Sequence, residues 1–371
     1  MKKIKNLFIF LMVAVAGSFI SCKSTQFEGA TMNVLDTNVS RPDFTLIEED
    51  SFIETMKNVV EPKLASIMHT GTFNSNHDGN RIYYEYYDVA DEKGSVVILH
   101  GFTEFIKKYN EIIYYFTEAG YDVYMAEHFG HGYSQRHDDV SDNLSKVAIE
   151  DFNVYVDDAF QFVTDVVNKK RDKNKPFILF GHSMGGGIGT RLLETFPSHF
   201  DAAILSSPML EINTGATPEW LARFVAGSAK AFGGGSNYIF GHSDFTPEEY
   251  FDDPGCAASS YPRYKYGFDK RVENEYLQMN GATWYWLDAA IKATHVAVSE
   301  QEAKKVRIPV LLFQAENDSL VRAGGQLEFA SKAKNVNVVF CPEAHHEIFN
   351  SPDNIAKSYW ITIFDFLDMV L

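Results

Sequence analysis

The hydrophobic residues of this chain form short apolar runs that alternate with longer amphipathic stretches. Continuous apolar runs, which are typical of buried parallel strands, occur at residues 96–99, 123–126, 177–180 and 202–205. Between the second and third runs, apolar residues recur at helical spacing over residues 150–168. Strands that alternate with helices in this way predict an α/β fold, with a mostly parallel sheet and helices on both faces.

The alternation stops after residue 208 and returns near residue 305. This interval is rich in tryptophan, tyrosine and phenylalanine and contains a run of three glycines. We interpret it as a mostly helical cap, inserted at about residues 208–305 into one domain that spans residues 75–371. Residues 81–87 alternate as an antiparallel edge strand.

The α/β pattern continues to the end of the chain. Residues 310–313 and 336–340 predict two further strands. Residues 353–370 predict a last helix, with Ser351 as its N-cap and Pro352 at its first position.

The first residues have the pattern of an export signal. Lysines at positions 2, 3 and 5 precede an apolar run over residues 7–20, which is too short to span a bilayer and suits a signal peptide. Residues 19–22 resemble a bacterial lipobox, so we expect a lipoprotein signal at 1–21, lipidation of Cys22, and a polar tether and N-terminal segment over residues 22–74. The predicted location is the bacterial cell envelope, with the protein lipid-anchored on the periplasmic or surface side of a membrane. The alternative is an ordinary secretory signal.

Residues 181–185 carry the first chemical motif, Gly-His-Ser-Met-Gly, directly after an apolar strand. In a nucleophile elbow the strand reverses abruptly into a helix, and small residues on either side of the serine leave room for that turn. Gly181 and Gly185 supply them here. The motif predicts Ser183 as an exposed catalytic nucleophile.

A serine nucleophile needs a base, and the base needs an orienting carboxylate. In folds of this kind these partners follow in the order serine, acid, histidine. The acid is Asp318 or Glu316, both just past the strand at 310–313. The base is His345 or His346, both after the strand at 336–340.

The negative charge that develops on the substrate oxygen needs backbone N–H donors. The amide of Met184, directly after the nucleophile, is one predicted donor. The second is predicted in the loop after residues 96–99, where Phe102 has the right position. We expect His100 to support this loop rather than to act on substrate.

Other features exclude classes of function. The chain has 50 acidic residues against 33 Lys and Arg, a net charge of −17, which disfavours a nucleic-acid partner. No C-x-x-C or H-E-x-x-H motif occurs, so we predict no metal and no cofactor. We expect His128 and His131 to be structural, and residues 241–243 to imitate the elbow without its strand. A disulfide between Cys256 and Cys341 is conceivable, but two buried thiols are favoured.

Several stretches resemble the monoacylglycerol lipase and lysophospholipase branch of the α/β-hydrolase superfamily. They are residues 100–104 (His-Gly-Phe-Thr-Glu), 127–134, 205–209 and 281–284, although Glu127 stands where the family usually has aspartate. The resemblance implies the α/β-hydrolase fold and favours Asp318 and His346 over their rivals. It implies a serine hydrolase that cleaves carboxylic esters of monoacyl lipids through an acyl-enzyme. The alternatives are a short-chain carboxylesterase, a serine aminopeptidase, or a lipid-binding surface lipoprotein without turnover.

Overall fold

A computed structural model describes residues 31–371, and a nine-stranded sheet lies at the centre of this part of the chain. The strands, two of which form a separate small ribbon, are β1 Thr31–Val34, β2 Met68–Asn74, β3 Arg81–Tyr87, β4 Gly94–Leu99, β5 Tyr121–Ala126, β6 Lys146–Val147, β7 Phe177–His182, β8 Ala202–Ser206, β9 Gly281–Ala282, β10 Val310–Asn317 and β11 Val336–His345. The α-helices are α1 Phe52–Thr55, α2 Glu61–Ile67, α3 Asn110–Glu118, α4 Asn153–Asp165, α5 Met184–Thr195, α6 Glu219–Ala231, α7 Tyr261–Glu273, α8 Trp284–Ala297, α9 Glu300–Ala303, α10 Ala323–Lys332 and α11 Asp353–Val370.

The order of strands across the main sheet is β1-β11-β10-β8-β7-β4-β5-β3-β2. The pairings from β1 to β5 in this order are parallel, whereas β3 and β2 are antiparallel to their neighbours. The predicted α/β class with a mostly parallel sheet is therefore confirmed. The prediction that residues 81–87 form an edge strand is wrong, because β2 covers β3 on its outer side.

Alternate residues of the central strands pack into two cores, one on each face of the sheet. Val97 and Leu179 belong to the core that includes apolar residues of α4, α5 and α8. Val96 and Ile178 belong to the core on the opposite face, under α3 and α11, whose Trp360 is fully buried. Because successive strand residues point to opposite faces, a continuous apolar run fills both cores at once.

The segment predicted as a tether is instead part of this domain from residue 31 onward. β1 pairs with β11 at one edge of the sheet, and β2 forms the other edge. Between them, Phe52, Met56 and Val60 are buried in the core beside α3 and α11. The domain boundary predicted at residue 75 is thus wrong for residues 31–74.

The inserted region lies over the carboxyl ends of the central strands. α6 and α8 pack against each other, and α8 also packs on α5, so its apolar residues join one of the two main cores. α7 packs on α1, and its Arg263 hydrogen-bonds Asp353 at 2.9 Å at the start of α11. A small cluster of Cys256, Ala258, Tyr264 and Phe268 lies apart from the main cores.

The last helix spans the predicted residues 353–370, but its N-cap differs from the predicted one. Pro352 is the N-cap of α11, whereas Ser351 is extended and buried, so the prediction of Ser351 as N-cap is wrong. The carboxylate of Glu49, far away in sequence, accepts from the amide of Asp353 at 3.4 Å. This contact replaces the cap that a serine side chain would have provided.

The predicted signal peptide at 1–21 and the predicted lipidation site Cys22 lie outside the described residues. Within residues 31–371, no helix is long and apolar enough to cross a membrane.

Candidate active site

Ser183 lies on the turn between β7 and α5, as the motif predicts. Its φ of 52° is unusual for a residue with a side chain. A Cβ atom at Gly185 would lie 2.0 Å from the carbonyl oxygen of Leu99, and one at Gly181 would lie 2.7 Å from that of Gly185. Only glycine fits at these two positions, because the helix start packs directly on the neighbouring backbone.

Asp318 and His346 meet at the carboxyl ends of β10 and β11. The imidazole Nδ1 lies 2.7 Å from Oδ2 of Asp318. The other carboxylate oxygen accepts from the amides of Leu320 and Val321, both at 2.9 Å. Burial alone would raise the pKa of the Asp318 carboxyl, but the imidazole and these amides lower it overall. The carboxylate is therefore ionised and fixed in orientation.

The two rivals identified in the sequence make other contacts. The exposed carboxylate of Glu316 accepts from the amide of Glu343 at 2.8 Å. His345 directs Nδ1 to the carbonyl oxygen of Cys256 at 2.9 Å. Neither side chain takes part in the Asp318–His346 pair.

The second nitrogen of His346 is free for chemistry. Nε2 is buried and has no hydrogen-bond partner among the described residues. Ser183 and His346 line the same cavity. An imidazole whose Nδ1 donates to a carboxylate presents Nε2 as a proton acceptor.

The loop after β4 forms another part of the cavity wall. The ring of Phe102 packs on that of Trp286, with centroids 4.1 Å apart, and Phe102 lines the cavity beside Ser183. Thr103, with φ of 57°, donates from its hydroxyl to the carbonyl of Phe102 at 2.7 Å. Met184 is the first residue of α5, so its amide belongs to the unpaired first turn of that helix.

A buried charged network, which the sequence did not reveal, connects this loop to His346. Nζ of Lys108 lies 2.7 Å from Glu104 and 2.5 Å from Glu347, which follows His346. Burial favours the neutral lysine, but the two carboxylates hold the pKa of Lys108 above its usual value. The i,i+4 spacing of Glu104 and Lys108 was the available signal. The pairing with Glu347 joins residues that are distant in sequence.

Three histidines beside this network support the loop rather than bind a metal. The amide of His128 donates to Nε2 of His100 at 3.0 Å, and Nδ1 of His100 lies 2.8 Å from the carbonyl of Gly101. Burial lowers the pKa of His100 to about 3 and those of His128 and His131 well below the usual value. Across residues 31–371, no group of three or more His, Cys, Asp or Glu is placed to hold a metal ion.

Two smaller predictions concern residues outside this centre. Cys256 and Cys341 are both buried and free, so they form no disulfide. His242, in the sequence that imitates the elbow, accepts from the amide of Ala282 at 2.9 Å and lies in the inserted region.

The cavity above Ser183 has a volume of about 680 Å³. Ser183, His346 and Phe102 line it, and so do residues of α6, α7 and α8. Most lining side chains are aliphatic or aromatic. A cavity of this size and character suits a small molecule with a large apolar part.

The fold and the site have relatives among known proteins. A family model described as "Serine aminopeptidase, S33" matches residues 90–353. The chain belongs to this family of α/β-hydrolases. The match extends from the approach to β4 to the first residue of α11 and contains Ser183, Asp318 and His346.

Individual members of the superfamily are similar to this chain in sequence or in structure over most of its length. The chain is 26% identical to a probable lysophospholipase L2 of Haemophilus influenzae over 278 residues, which are 74% of this chain and 83% of the relative. It is 26% identical to a monoacylglycerol lipase of Mycolicibacterium smegmatis over 281 residues, which cover 74% and 89%. The crystal structure of a monoglyceride lipase variant from Saccharomyces cerevisiae superimposes with a TM-score of 0.63 at 18% identity, covering 81% of this chain and 94% of that one. The structural likeness supports the fold.

Proposed function

We propose that this α/β-hydrolase is a serine esterase that cleaves the carboxylic ester of monoacyl lipids through an acyl-enzyme on Ser183. The observation that carries the proposal is the Asp318–His346 pair, in which His346 keeps Nε2 without a partner among the described residues and lines the same apolar cavity as Ser183. The relatives named as lysophospholipase and monoacylglycerol lipase support the choice of substrate class.

The proposed reaction has two halves. Oγ of Ser183 attacks the ester carbonyl while Nε2 of His346 takes the serine proton, and Asp318 stabilises the imidazolium. The amides of Phe102 and Met184 donate to the oxyanion. His346 then protonates the departing alcohol, which leaves an acyl-serine. Water, deprotonated by His346, attacks this acyl group and releases the fatty acid.

An aminopeptidase activity is less well supported, despite the family description. Such an enzyme needs a free carboxylate in its cavity to bind the substrate's terminal ammonium group. The carboxylates of Glu104 and Glu347 line the cavity, but both are already paired with Lys108. An apolar acyl chain fits the remaining walls better.

The test is labelling by a fluorophosphonate probe together with a substrate panel. We expect wild type and Ser243→Ala to be labelled, and Ser183→Ala not to be. Ser243 is the matched control because it is the exposed serine of the sequence that imitates the elbow. Monoacylglycerols and lysophospholipids of graded chain length should be cleaved faster than acetyl esters or proline amides. Retained labelling of Ser183→Ala would contradict the proposal, and retained esterase activity of His346→Ala would contradict the role of the histidine.

We also propose that the mature protein is anchored to the bacterial cell envelope by lipid on Cys22. The proposal rests on the basic and apolar pattern of residues 1–22. Wild type should partition into the detergent phase of a Triton X-114 extraction, and Cys22→Ala should not. Equal partitioning of the two proteins would contradict the anchor.

A further inference from the structure

The cavity has two chemically different walls. Leu221 and Val225 of α6, with Trp286 and Leu287 of α8, form an apolar wall. α7 forms the other wall through Tyr264, Gly267, Phe268 and Arg271. These four residues share one face of the helix, since they are spaced at i, i+3, i+4 and i+7. Arg271 is the charged member of that face.

The guanidinium of Arg271 is buried without an acidic partner. The residue is 8% exposed, and no carboxylate of the described residues lies within ion-pair distance. Its one side-chain hydrogen bond within residues 31–371 goes from Nη2 to the carbonyl of Met279, while Nε is buried and has no partner there. A buried cation without a counter-ion is costly, so a missing anion is the natural complement.

Arg263, a second arginine of α7, has the contacts of a residue with a structural role. Arg263 donates to Asp353 at 2.9 Å, to the carbonyl of Ile47 at 2.7 Å and to Glu111 at 3.4 Å. Its charge is compensated by protein groups, and it does not line the cavity. Arg271, two turns further along α7, lies over the ring of Phe245, with its guanidinium carbon 4.9 Å from the ring centroid, but it has no acidic partner among the described residues and it lines the cavity.

A chain of contacts connects the helix that carries Arg271 to the reacting centre. Gly267, one turn before Arg271, packs on the side chain of Lys108, so that a Cβ atom there would lie 3.4 Å from Lys108 Cγ. Lys108 in turn holds Glu347, which follows His346. Glu104 and Glu347, which also line the cavity, are both paired with Lys108, and neither is paired with Arg271. The wall formed by α7 is therefore connected to the loop that carries His346, and we place the leaving alcohol of the substrate on this side of the cavity.

We propose that Arg271 forms an anion subsite for the phosphate of a lysophospholipid head group, with the acyl chain between α6 and α8. This inference rests on the proposed esterase function and selects phosphate-bearing monoacyl lipids over neutral monoacylglycerols. Guanidinium and phosphate match in shape and charge, and the hydrogen bond to Met279 leaves other N–H groups of Arg271 without a partner among residues 31–371.

The test compares substrates that share one acyl chain and differ in head group. They are dodecanoyl lysophosphatidylglycerol, dodecanoyl lysophosphatidylethanolamine and monododecanoylglycerol, all used as monomers. In Arg271→Gln, we expect kcat/KM for the two phospholipids to fall about 30-fold, and that for the monoacylglycerol to change less than about threefold. Arg271→Lys should retain part of the preference because it keeps the charge. Arg223→Gln, an exposed arginine of α6, is the matched control and should behave like wild type.

Equal losses on all three substrates in Arg271→Gln would assign Arg271 a structural role and overturn the proposal. The proposal would also be overturned if Arg271→Gln left the ratio of kcat/KM for phospholipids to kcat/KM for the monoacylglycerol unchanged and relieved inhibition by dodecanoate. The anion bound by Arg271 would then be the carboxylate of the product. Binding of non-hydrolysable dodecyl ethers to the wild type tests the subsite without a variant and without turnover. The ether lysophosphatidylglycerol should bind about tenfold more tightly than dodecylglycerol, and equal affinities would contradict the subsite. If wild type cleaved none of the three esters, the proposed function would be contradicted. The binding test would still decide the anion subsite, because it does not depend on cleavage.

Discussion

The ammonium group of Lys108 lies 2.5 Å from a carboxylate oxygen of Glu347, the residue that follows His346. The same nitrogen contacts Glu104, whose other carboxylate oxygen accepts from the amide of Gly101. One lysine thus joins the loop that carries Phe102 to the loop that carries His346. The two parts of the proposed site are held together by charge as well as by the sheet.

Lys108→Met should destabilise the protein, because it leaves two buried carboxylates without their cation. Removal of one partner from a buried ion pair costs about 3 to 5 kcal/mol, and urea unfolding measures the loss. Lys108 is a main cause of the lowered pKa of Glu104, whereas burial acts to raise it. Without the lysine, Glu104 becomes easier to protonate, so the deficit should shrink as pH falls. Lys57→Met, at an exposed site, is the control. Equal stability of Lys108→Met and wild type would refute this account.

Asp318→Asn should lower kcat roughly ten-thousand-fold, because an amide cannot hold the required tautomer of His346 or stabilise its cation. Steady-state hydrolysis of a p-nitrophenyl ester measures this effect. Glu316→Gln is the matched control, since Glu316 is exposed and bonds only the Glu343 amide among the described residues. A larger loss in Glu316→Gln than in Asp318→Asn would reverse the assignment of the acid.

Glu127→Gln should change how stability depends on pH. Burial raises the pKa of Glu127 to about 8. Between the unfolded pKa near 4.3 and this value, the folded protein binds more protons than the unfolded chain, so wild-type stability falls as pH rises. The glutamine cannot ionise and still accepts the hydrogen bond from Ile106, made at 3.1 Å.

Relative to wild type, the Glu127→Gln variant should therefore gain about 4 kcal/mol between pH 5 and pH 9. Urea unfolding over this pH range measures the gain. The exposed Glu343→Gln is the control. A parallel pH dependence in wild type and Glu127→Gln would contradict the prediction.

Phe52→Ala tests whether the N-terminal segment is integral to the domain. Phe52 is 2% exposed, and the guanidinium carbon of Arg263 lies 4.9 Å from its ring centroid. The cavity left by its removal should cost about 3 to 5 kcal/mol in urea unfolding. Val59→Ala, at a 48% exposed site of the same segment, should cost less than about 0.5 kcal/mol. Similar small losses in both variants would mean that the segment contributes little to the fold.

The sequence predicted the central strands and the elbow well because their signals are local. Residues 177–180 form a continuous apolar run. The glycines around Ser183 are needed because the tight turn leaves no room for side chains, and this constraint acts within five residues. The prediction for residues 31–74 was wrong although the relevant signal was local. A π-helical turn at Met56–Val60 leads directly into α2, whose first turn contains Pro62. The buried residues at 52, 56, 60 and 64 repeat every four positions, which was a helical signal.

Other features depend on contacts between distant parts of the chain. His345 and His346 differ in their contacts, because Nδ1 of His345 lies 2.9 Å from the carbonyl oxygen of Cys256, whereas Nδ1 of His346 lies 2.7 Å from Asp318. The partner of Lys108 lies 239 residues away. Nothing in the spacing of α7 distinguishes Arg263 from Arg271, since only the surrounding elements decide which arginine is compensated. Sequence therefore predicts the motif and the fold more readily than the surroundings of the motif.

The close approach of Gly185 to Leu99 has a consequence for the two proposed oxyanion donors. Met184 precedes Gly185, and Phe102 lies three residues after Leu99, so both amides are attached to the same backbone-to-backbone contact. Their separation is then set by main-chain geometry and not by the packing of neighbouring side chains. Substitutions in the cavity walls can therefore change which ester binds while the two donors keep their spacing. Substrate specificity can evolve in this way without a change in the geometry that stabilises the oxyanion.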